Sequence, residues 1–174
     1  MSPSNDKKTQ PKSSKSDTNT ADLQNNHEYQ TYTPVVAVGA SAGGLEAFKL
    51  LLKNLPKKTG MSIVYIQHLD PNHASALVEI LSRISNIPVL EARNDTVVEE
   101  DHVYVIQPNM LLGYQDGKLI STLRDEDAGF FMPIDHFMID LAENLGSSTI
   151  GVVLSGTASD GTRGLQAIKS CGGI

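Results

Sequence analysis

Cysteine is nearly absent: Cys171 stands alone in 174 residues. An internal disulfide is therefore excluded, and the composition fits a reducing cytoplasm. Positive charge is also scarce. Fourteen Lys and Arg against 20 Asp and Glu give a net charge of -6, which argues against nucleic acid as a partner, because phosphate binding needs a basic face. No apolar run approaches the roughly 18 residues of a membrane span, so no membrane insertion is expected. The lysines near the start are not followed by an apolar segment, and no secretory signal is expected. No pair of histidines shows metal-ligand spacing such as H-x-x-x-H, so no metal is expected. His27 lies in a polar stretch, His73 at a helix start, His102 at a strand start and His136 within a predicted helix. What the chain does have is enough apolar residue, 40%, for one packed domain.

Residues 1–33 are Lys, Ser, Thr, Asn, Gln and Asp with almost no aliphatics, and read as a disordered polar tail. Lys7, Lys8, Lys12 and Lys15 are balanced there by Asp6, Asp17, Asp22 and Glu28, which leaves the acidity to residues 34–174. From Pro34 the character changes. Pro34–Gly39 is a β-branched run without polar alternation, the pattern of a strand buried on both faces of a parallel sheet. Ala47, Phe48, Leu51, Leu52 and Leu55 then recur at helical spacing before Pro56. Met61–Ile66 is a second buried strand, and Ala74, Leu77, Leu81 and Ile84 a second helix. Such alternation predicts a doubly wound α/β fold, with a mostly parallel sheet flanked by helices. An antiparallel hairpin insertion is expected near residues 102–122, because Asp116-Gly117 is a two-residue hairpin signal between Met110–Gln115 and Lys118–Thr122. Asp125–Gly129 reads as a solvated acidic loop. A helix from Pro133, a buried strand over Thr149–Leu154 and a helix over Leu165–Lys169 follow, and Gly172-Gly173-Ile174 stands where a further strand would start.

Gly39-Ala40-Ser41-Ala42-Gly43 matches G-x-S-x-G between a predicted strand and a predicted helix. A sharp turn there lifts a serine hydroxyl above the sheet, and small neighbours permit the bend. The following helix N-terminus favours developing negative charge. A phosphate cradle and a plain tight turn compete with the nucleophile, although neither G-x-G-x-x-G nor a P-loop is present. Serine needs a base. His68 follows the second strand directly, and in a parallel sheet the C-terminal strand ends share one edge; a hydrogen-bonded loop histidine is the alternative. Asp160, in Leu154–Gly161 after a third parallel strand, falls on that edge too. It suits the acid that orients the imidazole, or an N-cap for the helix near Thr162.

The order Ser, His, Asp differs from that of the α/β-hydrolases. Val38–Gly44, Gln67-His68 and Leu154–Gly161 instead resemble the three signature segments of CheB-type protein-glutamate methylesterases, and Pro133–Ala142 resembles that family's proline-to-aspartate helix start. The resemblance spans residues 34–174. It implies a triad of Ser41, His68 and Asp160, and oxyanion donors at Ala42 and near Thr157. It also implies no cofactor, and hydrolysis of glutamate γ-methyl esters on the cytoplasmic helices of chemoreceptors, with methanol released and glutamine deamidation as a further activity. A fused or partner CheR-type methyltransferase is expected.

Three departures bear on this. Thr157 stands where the family usually carries methionine. The polar tail stands where many members carry a receiver domain. The family's domain continues past position 174, which implies a missing terminal strand and an open neighbouring edge. A catalytically idle regulatory module of a CheB–CheR-type fusion, and a nucleotide-binding α/β domain, are the competing functions.

Overall fold

The computed structural model describes residues 32–41, 43–67, 74–125, 131–155 and 159–174, with the backbone alone at 74 and 75. The expected tail, Tyr32 and Thr33 apart, lies outside them. In chain order the elements are β1 (Val35–Ala40), α1 (Gly44–Asn54), β2 (Ser62–Gln67), α2 (Ala74–Ser82), β3 (Val89–Glu91), β4 (Thr96–Val97), β5 (Val103–Val105), β6 (Met110–Gln115), β7 (Lys118–Leu123), α3 (Pro133–Leu145), a 3-10 turn (Gly146–Ser148), β8 (Thr149–Val153) and α4 (Thr162–Ser170). None of these helices is long and apolar enough to cross a membrane.

Five strands form a parallel sheet in the order β3-β5-β2-β1-β8. Successive side chains leave a strand on opposite faces, and here both faces are apolar. Val38, Ala40, Ile63, Tyr65, Val103 and Val105 pack with Phe48 and Leu52 of α1 and Leu77 and Leu81 of α2. Val35, Ala37, Val64, Ile66, Tyr104 and Ile106 pack with Ile134, Phe137, Met138 and Leu141 of α3 and Ile168 of α4. Each Val, Leu, Ile, Phe or Met side chain among them contributes about 1.5–3 kcal/mol relative to exposure. The unalternating Val-Val-Ala-Val sequence of β1 is the direct product of this two-sided burial, and the α/β doubly wound expectation holds.

The insertion is narrower than the 102–122 span expected. Val103–Val105 is buried throughout and pairs in parallel with β2 and β3, so it belongs to the main sheet. The hairpin proper is β6–β7, turned at Asp116 (φ 49°) and Gly117 (φ 81°), the two positive φ values of a type I′ turn. The two-residue β4 extends it to three strands. The hairpin packs on α3: Leu112, Tyr114 and Leu119 join that helix's core cluster, and the Tyr114 amide donates to Asp140 Oδ2 at 2.6 Å.

The step from β1 to β2 runs one way along the sheet, whereas β8 lies on the other side of β1. The sequence order reverses between β1 and β8, and the crevice above their C-terminal ends is where open α/β sheets bind ligands. Beyond β8, the Ile174 amide donates to Thr149 O at 3.0 Å and the Gly151 amide to Ile174 O at 2.7 Å, the spacing of a parallel ladder.

Candidate active site

β1 and β8 stay paired beyond their last strand residues. The Leu154 amide donates to Gly39 O at 3.0 Å, and the Ser41 amide to Ser155 O at 3.1 Å. This holds Ser41, half-buried, directly above the crevice. It also occupies the Ser41 N–H, which therefore cannot serve an oxyanion. The Gly44 amide donates back to Ser41 O at 2.9 Å, closing the turn, and Gly43 takes the left-handed conformation (φ 95°). Two glycines flank the bend because neighbours approach closely. A Cβ on Gly39 would lie 2.4 Å from Ile134 Cγ2, and one on Gly44 would lie 2.6 Å from the Ala40 Cβ and 3.0 Å from Ser155 Oγ. Ser155 Oγ is buried and has no hydrogen-bond partner among the described residues.

Ala40 and Gln67, the last residues of β1 and β2, are in register, and Ser41 and His68 are the residues that follow them. His68 lies outside the described residues, as do the proposed oxyanion positions Ala42 and Thr157. The Gln67 side chain is fixed from below: the Tyr65 hydroxyl donates to Gln67 Oε1 at 2.9 Å. Burial pushes the Tyr65 hydroxyl far above the ordinary tyrosine range, so it remains a donor. The ring itself stacks on Phe48 at 4.0 Å.

Asp160 is only 8% exposed, and it is not the cap of the helix that follows it. Its Oδ1 accepts from the Asp135 amide at 2.8 Å and its Oδ2 from the Ile134 amide at 3.2 Å, so it closes the first turn of α3. Asp135, 7% exposed, returns the favour across the interface. Its Oδ1 accepts from the Gly161 amide at 2.9 Å and the Gly164 amide at 2.7 Å, filling the N-terminus of α4. Two carboxylates thus exchange helix termini, where unsatisfied N–H groups and the helix dipole both favour negative charge. Asp135 was not singled out from the sequence. The Pro-x-Asp at a helix start is the signal that was available, though nothing local says that this aspartate caps a different helix. Ile134 joins the two halves of the site, touching the end of β1 at Gly39 and standing 3.2 Å from a Cβ placed on Gly161. Of the other histidines, His102 and His136 fall among the described residues. His102 lies before β5, His136 is exposed on α3, and no group of three His, Cys, Asp or Glu among the described residues could hold a metal ion.

Comparison with known proteins fits this frame. A chain from the crystal structure of the Thermotoga maritima CheB methylesterase catalytic domain superposes with a TM-score of 0.75 at 31% sequence identity, over 83% of this chain and 78% of that one. A Leptospira interrogans protein, provisionally named protein-glutamate methylesterase/protein-glutamine glutaminase, is 35% identical over 140 residues, 80% of this chain and 72% of the relative. A Carboxydothermus hydrogenoformans protein named protein-glutamate methylesterase/protein-glutamine glutaminase 1 is 34% identical over 145 residues; the match covers 80% of this chain but 43% of that relative. The family model for the CheB methylesterase domain matches residues 36–174, from the first buried strand through the Asp160 loop, and on that ground the chain belongs to the CheB methylesterase family.

Proposed function

We propose that this chain hydrolyses γ-glutamyl methyl esters on the cytoplasmic helices of chemoreceptors, and deamidates receptor glutamines by the same acyl chemistry. Ser41 Oγ attacks the ester carbonyl while His68 takes its proton. Collapse of the tetrahedral intermediate breaks the C–O bond to methoxide, and His68 returns the proton so that methanol leaves. Water then attacks the acyl-enzyme, again deprotonated by His68, giving glutamate and free Ser41. Asp160 holds the imidazole and stabilises its charged form. The Ala42 amide and one from the Thr157 region supply the oxyanion donors. The protein works in the cytoplasm, beside or fused to a CheR-type methyltransferase that makes the ester it removes.

The carrying observation is the turn at Ser41, with its amide tied to Ser155 O and a helix that opens at a left-handed glycine two residues on. Support for Asp160 comes from its burial against two backbone amides, which fix the position of the carboxylate at the start of α3. The test is methanol release from methyl-esterified receptor by wild type and by Ser41→Ala. The variant should fold and lose about 10⁴-fold or more in kcat/KM. Wild-type silence, with binding retained, would replace the esterase by an idle regulatory module.

A further inference from the structure

We propose that a cavity beside the Asp160 loop is a carboxylate subsite, which takes the glutamate side chains that flank the ester on an acidic receptor helix; this rests on the esterase reading above. The cavity encloses about 650 Å³ between the start of α3, the start of α4 and the end of the hairpin, and its wall includes Arg124, Phe131, His136, Ser159 and Arg163. Ser159 immediately precedes Asp160, so the cavity adjoins the proposed catalytic loop.

Arginine placement carries the argument. The chain has four arginines. Arg83 and Arg93 are ion-paired on the surface with Glu79 and Glu91. The other two, Arg124 and Arg163, have no carboxylate partner among the described residues, and both line this cavity. Arg124 is held with its guanidinium 4.4 Å above the Phe131 ring. Such stacking fixes the plane of the fork and leaves its edge N–H donors for a ligand. Arg163 is exposed on the first turn of α4.

Neither carboxylate in the wall forms an ion pair with Arg124 or Arg163 among the described residues. Asp125 is already engaged, and Asp135 Oδ1 accepts from the amides of Gly161 and Gly164. Two free guanidinium forks at a concave mouth suit bidentate capture of carboxylates. They also answer a problem set by the net charge of -6: a chain that repels acidic partners at long range needs a local cationic site to bring one into register.

The test uses a labelled helical peptide with glutamates on successive turns, and its glutamine counterpart, with binding followed by fluorescence anisotropy at low ionic strength. The glutamate peptide should bind on the order of tenfold more tightly, and that preference should vanish in Arg124→Gln/Arg163→Gln. Should loss of Arg124 loosen Phe131, Arg163→Gln alone, at an exposed position, should still lower the preference. Equal binding of the two peptides, or a preference indifferent to both arginines, overturns the subsite. A methyl-ester version of each peptide separates the subsite from the esterase. Ser41-dependent release at equal kcat/KM from both removes the subsite and leaves the esterase. Arginine-dependent preference without any release keeps the subsite and removes the esterase.

Discussion

Helices α1 and α4 open in almost the same way and end up with opposite environments. Each follows a strand of the parallel sheet, and each is preceded by a left-handed glycine: Gly43 at φ 95°, ψ -19° and Gly161 at φ 100°, ψ -16°. At α4 the terminus is filled. The Asp135 carboxylate takes the Gly161 and Gly164 amides, and a Cβ on Gly161 would press within 2.9 Å of Val153 Cγ2. At α1 no side chain among the described residues caps the helix, and a Cβ on Gly43 would meet nothing within 4 Å. One strand–turn–helix unit has been closed by a neighbour's carboxylate and serves as scaffold. The other has no side-chain cap among the described residues; in the proposed reaction a transient oxyanion beside Ser41 would do there what Asp135 does permanently at α4.

Emptying the closed terminus should have the largest effect on stability. Asp135→Ala leaves two buried amides unpaired and frees the loop that carries Asp160. An unmet buried donor costs about 1–3 kcal/mol, so a loss on the order of 3 kcal/mol is expected in denaturant titration. Asp135→Asn, which keeps one oxygen acceptor, should lose less. A loss no greater than that of a surface substitution would mean that α4 is satisfied in another way, and the contrast between the two termini would fail.

The glycines offer a matched pair. Both replacements by alanine force a left-handed backbone on an L-residue, at about 1–2 kcal/mol. Only Gly161→Ala adds the clash with Val153 and with Ile134 at 3.2 Å, for a total of about 2–5 kcal/mol with the 1–3 kcal/mol typical of overpacking. Gly43→Ala should stay near the backbone cost alone, yet its activity should fall more than its stability, since its Cβ enters the open mouth. Thermal melts of the two variants side by side check the difference. Equal shifts would mean that Gly43 is as closely packed as Gly161.

Much of this was written in short-range pattern. Unalternating apolar runs gave β1, β2 and β8, although the expected burial of β8 is only partial, with Val153 38% exposed; Asp116-Gly117 gave the hairpin, and Ser41 and Asp160 follow the C-terminal ends of β1 and β8, while His68, expected at the same edge, lies outside the described residues. The parts that were missed are those decided by distant partners. β3 and β4, at three and two residues, are too short for any periodicity to register. Val103–Val105 read as part of the insertion because nothing local tells a parallel partner from an antiparallel one. Asp160 carried a plausible local alternative, the cap of its own helix, and the fold assigned that task to Asp135, 25 residues earlier, in exchange for the first turn of α3. Capping across helices leaves no spacing signature, because the two sequences that meet are brought together only by packing of α3 on α4.

The smallest expected effect lies at the opposite edge of the sheet, where the same chemistry recurs in solvent. Asp101, ahead of β5, accepts from the Gly60 amide and from Thr59 Oγ1, each at 3.0 Å, and from the Thr59 amide. These backbone bonds, with help from Lys58, hold its carboxyl below the ordinary range. A depressed folded-state pKa contributes stability above the unfolded value of about 3.9, and that contribution is lost as pH falls through the folded value. Wild type and Asp101→Asn should therefore differ slightly at neutral pH and converge below about pH 4, a trend that chemical denaturation across pH 2–7 would reveal. A difference that persists unchanged into acid would mean that the amide bonds, not the charge, hold the loop. In that case the contrast drawn at α1 and α4, where a buried charge is what fills or leaves open a helix terminus, would be specific to the interior and not a general property of capping in this fold.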